Sequence, residues 1–434
     1  MTTATTPLPP TPMTAGVSAR LSGMMFLQYA VWGVWLPYLA SYLNRATTDG
    51  GLGFTQNQVG WILGLAASIG AVSAPFIAGQ VADRYLNAER ALGLLLFVGG
   101  ILNLVLARVE GYGVFLFVSV LYSIAFMPTL SLTNSIAFQN LDDPERKFPS
   151  VRLWGTIGWV VASIGFTSLW LTAPDKFTNT RRIADALSVS GVVSILYAFY
   201  AFCVLPKTPP KRSGEALAFL KAFRLLGNPT FLLITLIALP IAMIHQVYFF
   251  RVAPFFGDAI GVPDKWFGPV FGIGQFSEAA FLLVLGVLLK RVGYKAVLIL
   301  GCLGYAARFG IFAIGQPPAL VIASQLLHGL CYGCFFAGSF LLVEKIAPED
   351  IRHSAQTVYG IIILGLGPIL AGFYNGQILG RFGEPPNVDY RGVWLTQSGI
   401  ALAAALILLL AFRYRPTPHA HTPTAADHHD GHLV

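Results

Sequence analysis

Glu278 is the acid in the middle of the apolar run from Trp266 to Leu289, and Gln275 lies three residues before it on the same helical face. Hydrocarbon cannot solvate a fixed carboxylate. An ionisable group at membrane depth therefore faces a bundle interior or an aqueous cavity, often along a solute path. So short a side chain cannot reach the bilayer surface from mid-span, which leaves a protonated acid or a pair with an arginine. Arg152, Arg251 and Arg308 lie in or at the ends of other apolar segments and offer the opposite sign. A carboxylate taken out of water binds a proton more readily, and one beside a cation less readily. A change in either surrounding would link protonation to conformation.

Other polar groups repeat at helical spacing. Arg152 and Thr156 are four residues apart; His245 and Tyr248 are three apart. His328 and Tyr332 are four apart, with Phe335 a turn further, and Gln28, Trp32, Trp35 and Tyr38 form a polar-aromatic stripe. Amide, hydroxyl and aromatic groups on several helices suit a flat solute that both stacks and hydrogen-bonds. The competing readings are packing and interfacial roles for the rings, and snorkelling for Arg152 near a span edge.

The elements that carry these groups follow from composition. The chain has 434 residues, 55% hydrophobic and 11% charged, with mean hydropathy +0.66. Soluble domains run near about 25% charged, so one large water-soluble fold is excluded. Apolar segments run at about 21–43, 57–81, 90–107, 112–139, 151–173, 184–205, 228–256, 266–289, 295–314, 318–343, 354–379 and 392–412. The expected fold is an all-alpha polytopic membrane protein with twelve transmembrane helices. Short alternating segments of a β-barrel are missing from the pattern.

With the N-terminus inside, seventeen Lys and Arg fall on the cytoplasmic side and eight on the other, which predicts both termini cytoplasmic. The longest inner connection divides the chain into a 20–205 bundle, a 206–227 linker and a 228–415 bundle, flanked by tails at 1–19 and 416–434. Such an arrangement suits two bundles rocking about a central site. The turns GQVADR (79–84) and KRVGYK (290–295) occupy equivalent places in the two halves, making Asp83 and Arg84 a candidate gate or an ordinary solvated turn. The formal charge of +8 punctuates span ends rather than forming a nucleic-acid patch. No cofactor is expected. Cys331 and Cys334 have metal-like spacing without a second pair, and the histidines of the 416–434 tail read as a disordered segment rather than a metal site.

The chain resembles the nucleoside:proton symporter family of the major facilitator superfamily. The resemblance rests on FLQYAVWGVWLPYLASY (26–42), FMPTLSLTN (126–134), FPSVRLWGTIG (148–158), GQFSE (274–278), RFGIF (308–312), FLLVEK (340–345) and IRHSAQ (351–356), and extends over about residues 20–415. It implies proton-driven uptake of nucleosides by a likeness to an inner-membrane carrier. Arg152, Thr156, Gln275 and Glu278 match family site positions. His245 and Tyr248 stand where the family presents a glutamine and an asparagine. On the tenth span His328 stands at a family tyrosine, and Gly333 replaces a family acid. Gly333 binds no proton, so either Glu278 alone handles coupling, His328 or His245 assists, or the solute is not proton-coupled. Two other readings are a carrier for another polar solute, such as a sugar or metabolite, and a non-transporting membrane sensor. An enzyme is disfavoured because no acid, base and nucleophile set assembles. The expected partners are a small polar solute, a proton and lipid, with a monomer as the unit.

Overall fold

The computed structural model describes residues 15–77, 86–209, 224–348 and 352–413, and among them every regular element is helical. Helices are the form in which an apolar segment satisfies its own backbone N–H and C=O groups in lipid. In chain order they are α1 (Ala15–Gly33) and α2 (Leu39–Asn44). Then come α3 (Gln56–Phe76), α4 (Ala88–Leu106) and α5 (Tyr112–Asn140), followed by α6 (Pro144–Trp170) and α7 (Lys176–Cys203). The second half of the chain holds α8 (Pro229–Pro254) and α9 (Phe267–Ile314), then α10 (Pro318–Ile346), α11 (Ala355–Phe382) and α12 (Tyr390–Ala411). Among the described residues, ten helices are long and apolar enough to cross a membrane.

Local chemistry sets several starts. The Asn228 side chain accepts from the N–H groups of Thr230 and Phe231, and Pro229 occupies the first helical position, where its missing N–H leaves nothing unpaired. Thr55 and Gln58 form a reciprocal capping box before α3. The first apolar run departs from expectation: the chain leaves helical geometry over residues 34–38, around Pro37, and α2 resumes beyond the break.

The runs expected at 266–289 and 295–314 join within α9, interrupted at Gly293, whose φ of 77° favours a residue without a Cβ. A straight helix would separate residues 278 and 308 by about 45 Å. Both instead reach the His328 side chain, so the two arms of α9 fold back on each other at Gly293.

Close backbone approach joins the two halves of the chain. A Cβ on Gly60 would lie 2.6 Å from the Gly372 carbonyl oxygen, bringing α3 and α11 into backbone contact. Within the second half, Phe309 stacks on Trp394 at 5.4 Å and Ser398 donates to the Ala306 carbonyl at 2.8 Å, tying α9 to α12. The outer surface is apolar: Leu283 is 83% and Leu410 70% exposed, a surface for lipid.

Candidate functional site

A cavity of about 480 Å³ lies between the two halves of the chain, within the size range of small-molecule sites. Its second-half wall carries ionisable chemistry. Gln275 and Glu278 project from α9, His245 and Gln246 from α8, and His328 and Tyr332 from α10. His328 Nε2 stands 3.5 Å from Glu278 Oε2. The α10 backbone widens into a π-helical stretch over Leu330–Ala337, which re-aims the side chains around Tyr332.

Behind this wall lies a buried polar chain. Arg308 is fully buried, and its NH1 donates to His328 Nδ1 at 2.9 Å. Its NH2 donates to Gln325 Oε1, which also accepts from the Tyr248 hydroxyl at 3.2 Å. The guanidinium lies over the Tyr248 ring, 4.1 Å from the centroid. His245 stacks against His328 at 5.8 Å, and its Nδ1 is 2.7 Å from the Tyr305 hydroxyl.

The first-half wall is built from rings. Tyr29, Trp32 and Trp35 come from α1 and the broken turn after it, and Tyr122 and Phe126 from α5. Tyr122 and Phe126 stack at 5.4 Å, and Trp32 leans on Phe126 at 6.1 Å. Arg152 and Thr156 enter from α6, with the Arg152 guanidinium 4.0 Å above the Tyr29 ring. Arg152 is also in electrostatic reach of Glu278 across the gap.

A belt of polar ties joins the two halves of the chain outside the cavity lining. Arg45, 4% exposed, grips both Asp264 oxygens at 2.8 and 2.9 Å and donates to Thr180 at 2.9 Å. Burial works to lower the proton affinity of Arg45, and its hydrogen bonds and charge pairing with Asp264 outweigh that, holding it above its ordinary value. Lys176 bridges Asp49 at 3.1 Å and Asp258 at 3.3 Å. Deeper in, Arg251 donates to Asn375 Oδ1 at 2.7 Å, and Asn375 Nδ2 donates to the Gln56 carbonyl at 2.7 Å. Arg45, Gln56 and Lys176 belong to the first half and their partners Asp264, Asn375 and Asp258 to the second.

Of the residues singled out by sequence, Glu278, Gln275, Arg152, Thr156, His245, His328, Tyr332 and Trp32 line one cavity. Arg308 stands behind its wall as the partner of His328. Tyr248 is buried beside it with only a small adjoining pocket at its ring. Gln28 is not in the lining: it is fully buried and donates to Thr129 Oγ1 at 2.8 Å, holding α1 to α5. Tyr38 is likewise buried, donating to the Val34 carbonyl. Asp83 and Arg84 lie outside the described residues, as do 1–14 and the tail at 416–434; residues 15–19, expected in the N-terminal tail, instead open α1. Sequence reasoning missed Tyr29, Tyr122, Gln246 and Gln325. Gln325 carried a signal, since it precedes His328 by three residues. The belt was read only as flanking charge, because no spacing rule pairs Arg45 with a residue 219 positions away.

The family described as the nucleoside H+ symporter matches residues 15–417. Xanthosine permease of Escherichia coli K12 is 30% identical over 433 residues, covering 95% of this chain and 100% of the permease. Nucleoside permease NupG of Escherichia coli K12 is 26% identical over 423 residues, covering 93% of this chain and 97% of NupG. A crystal structure of nucleoside transporter NupG aligns with a TM-score of 0.80 at 25% identity, over 92% of this chain and 100% of that one.

Proposed function

We propose a route for coupled nucleoside carriage from one premise: this chain belongs to the nucleoside H+ symporter family and is a secondary active transporter, not an enzyme. It is a multi-pass protein of the inner membrane with the major facilitator fold. On our reading α1 with α2 forms the first span, and the two arms of α9 form the eighth and ninth. Twelve spans then divide into bundles at 20–205 and 228–415. Lysine and arginine bias supports cytoplasmic termini and assigns the Arg45–Asp264 belt to the outside. The cavity then belongs to a state closed outward, and opening the belt while closing the inner end completes the exchange.

In this scheme a nucleoside lies between unlike walls. The rings of Trp32, Phe126 and Tyr29 offer stacking surface for the flat base, and Gln275, Thr156 and Glu278 offer hydrogen bonds to its polar edges and hydroxyls. Glu278 exchanges a proton. Its charge sets its attraction to Arg152 on the opposite wall, so proton and solute both bias the same pair of conformations. No covalent step is involved.

The observation that carries this reading is the half-buried Glu278 in the cavity wall, between His328 and Arg152. The test is uptake of labelled uridine, adenosine and xanthosine into proteoliposomes under an inward proton gradient. Accumulation that collapses when the gradient is dissipated is the expected result. Correctly inserted protein that moves no nucleoside overturns the substrate, and uptake indifferent to the gradient overturns the coupling.

A further inference from the structure

His328 on α10 turns its Nε2 toward Glu278 on α9, 3.5 Å from Oε2. The contacts on its other side decide what that ring can do. A guanidinium has five N–H donors and no acceptor, and it stays charged in proteins. Arg308 NH1 lies 2.9 Å from His328 Nδ1, so Nδ1 is the acceptor of that bond. An imidazole whose Nδ1 accepts carries its hydrogen on Nε2, the nitrogen turned toward Glu278. Adding a second proton would set an N–H against an N–H and a cation against a cation inside a buried site.

Arg308 has little room to release Nδ1. Its second arm donates to Gln325 Oε1, whose carbonyl also accepts from Tyr248, and its flat face is covered by the Tyr248 ring. Helix packing fixes the ring as well. A Cβ on Gly274 would come within 3.3 Å of the His328 Cβ, and Ser277 donates to the Leu326 carbonyl, so α9 and α10 meet in one register.

We propose that Arg308 is a positioning residue that locks His328 as the Nε2–H tautomer, making His328 a fixed donor to Glu278 and leaving Glu278, among the described cavity-lining residues, to carry the coupling proton. This rests on the coupled-carriage reading above and deepens it: one proton moves with each nucleoside, and His328 takes part as a donor rather than as a second proton site. It also revises the expectation that a histidine shares the proton. The groups facing His328 are Glu278 and Arg308 from α9, and His245 and Tyr248 from α8; Tyr332 of its own helix lies against His245 and within electrostatic reach of Glu278. Glu278 further faces Tyr29 and Arg152 from the first half and Tyr305 from α9.

The deciding measurement pairs flux with spectroscopy on the full chain. In proteoliposomes the proton-to-uridine ratio is expected to be one. His328→Gln keeps an amide N–H near the Nε2 position and has nothing to titrate. It should slow uptake by up to about tenfold, the cost of a poorer hydrogen bond to a charged group, while the ratio stays at one. His328→Leu removes the donor and should move the pH midpoint of uptake, with His328→Gln restoring it. Selective 15N labelling of histidine in wild-type protein, assigned with His328→Gln, should report the Nε2–H form of His328 unchanged from pH 5 to 8. Arg308→Met should give that ring a titration, and Arg308→Lys should suppress it again. A ratio of two, loss of coupling in His328→Gln, or a wild-type His328 that titrates across this range overturns the proposal. The nitrogen signal needs no transport, so protein that moves no nucleoside refutes the functional reading separately.

Discussion

The wall contributed by the first half of the chain presents rings and hydroxyls, with Arg152 its single charged side chain among the described lining residues. The wall contributed by the second half presents an acid, two histidines and their flanking amides, with a buried arginine behind them. Stacking surface tolerates many flat solutes, because every aromatic base has a face. A titratable group in a hydrogen-bonded frame is selective for one event. In the proposed scheme, recognition shared between the walls and protonation confined to one of them let a single proton alter the attraction across the gap.

Glu278→Gln tests this division most severely. It should abolish proton movement with solute and flatten the pH dependence of uptake, read with a pH-sensitive dye in proteoliposomes; persistent coupling would mean that the ionisable wall is not where the proton is carried. Arg152→Lys keeps the one cation of the ring wall but loses the planar group stacked on Tyr29. It should raise the KM for uridine by about tenfold while the coupling ratio holds. Trp32→Phe should raise KM by only about threefold, equally for purine and pyrimidine nucleosides, with an unchanged pH profile. A shifted pH midpoint in Trp32→Phe would erase the distinction between the walls.

Membrane depth and helical spacing made much of this legible. An acid in mid-span has few physical solutions, so Glu278 and its neighbour Gln275 were found from one segment alone. The stripe on α1 was read correctly in part: Trp32 and Trp35 line the cavity, whereas Gln28 packs against Thr129 and Tyr38 is buried, and Tyr29 was passed over. Periodicity finds a polar face but cannot choose between neighbours when both helix sides meet protein. The reversal at Gly293 was legible as well, since Lys290, Arg291 and Lys295 interrupt the apolar pattern between the runs at 266–289 and 295–314. Arg308 was legible as a central cation, yet its role depends on which imidazole nitrogen it touches, and that is set by three helices together.

The Arg45–Asp264 grip has a consequence for turnover. Removing two ions from water costs several kcal/mol, and their mutual attraction returns about as much when the geometry is good. A latch of this kind is specific in shape and shallow in energy. Hydration offered to the separated ions offsets much of what the closed pair gives up, so in the proposed scheme a mouth sealed by this pair reopens at small cost.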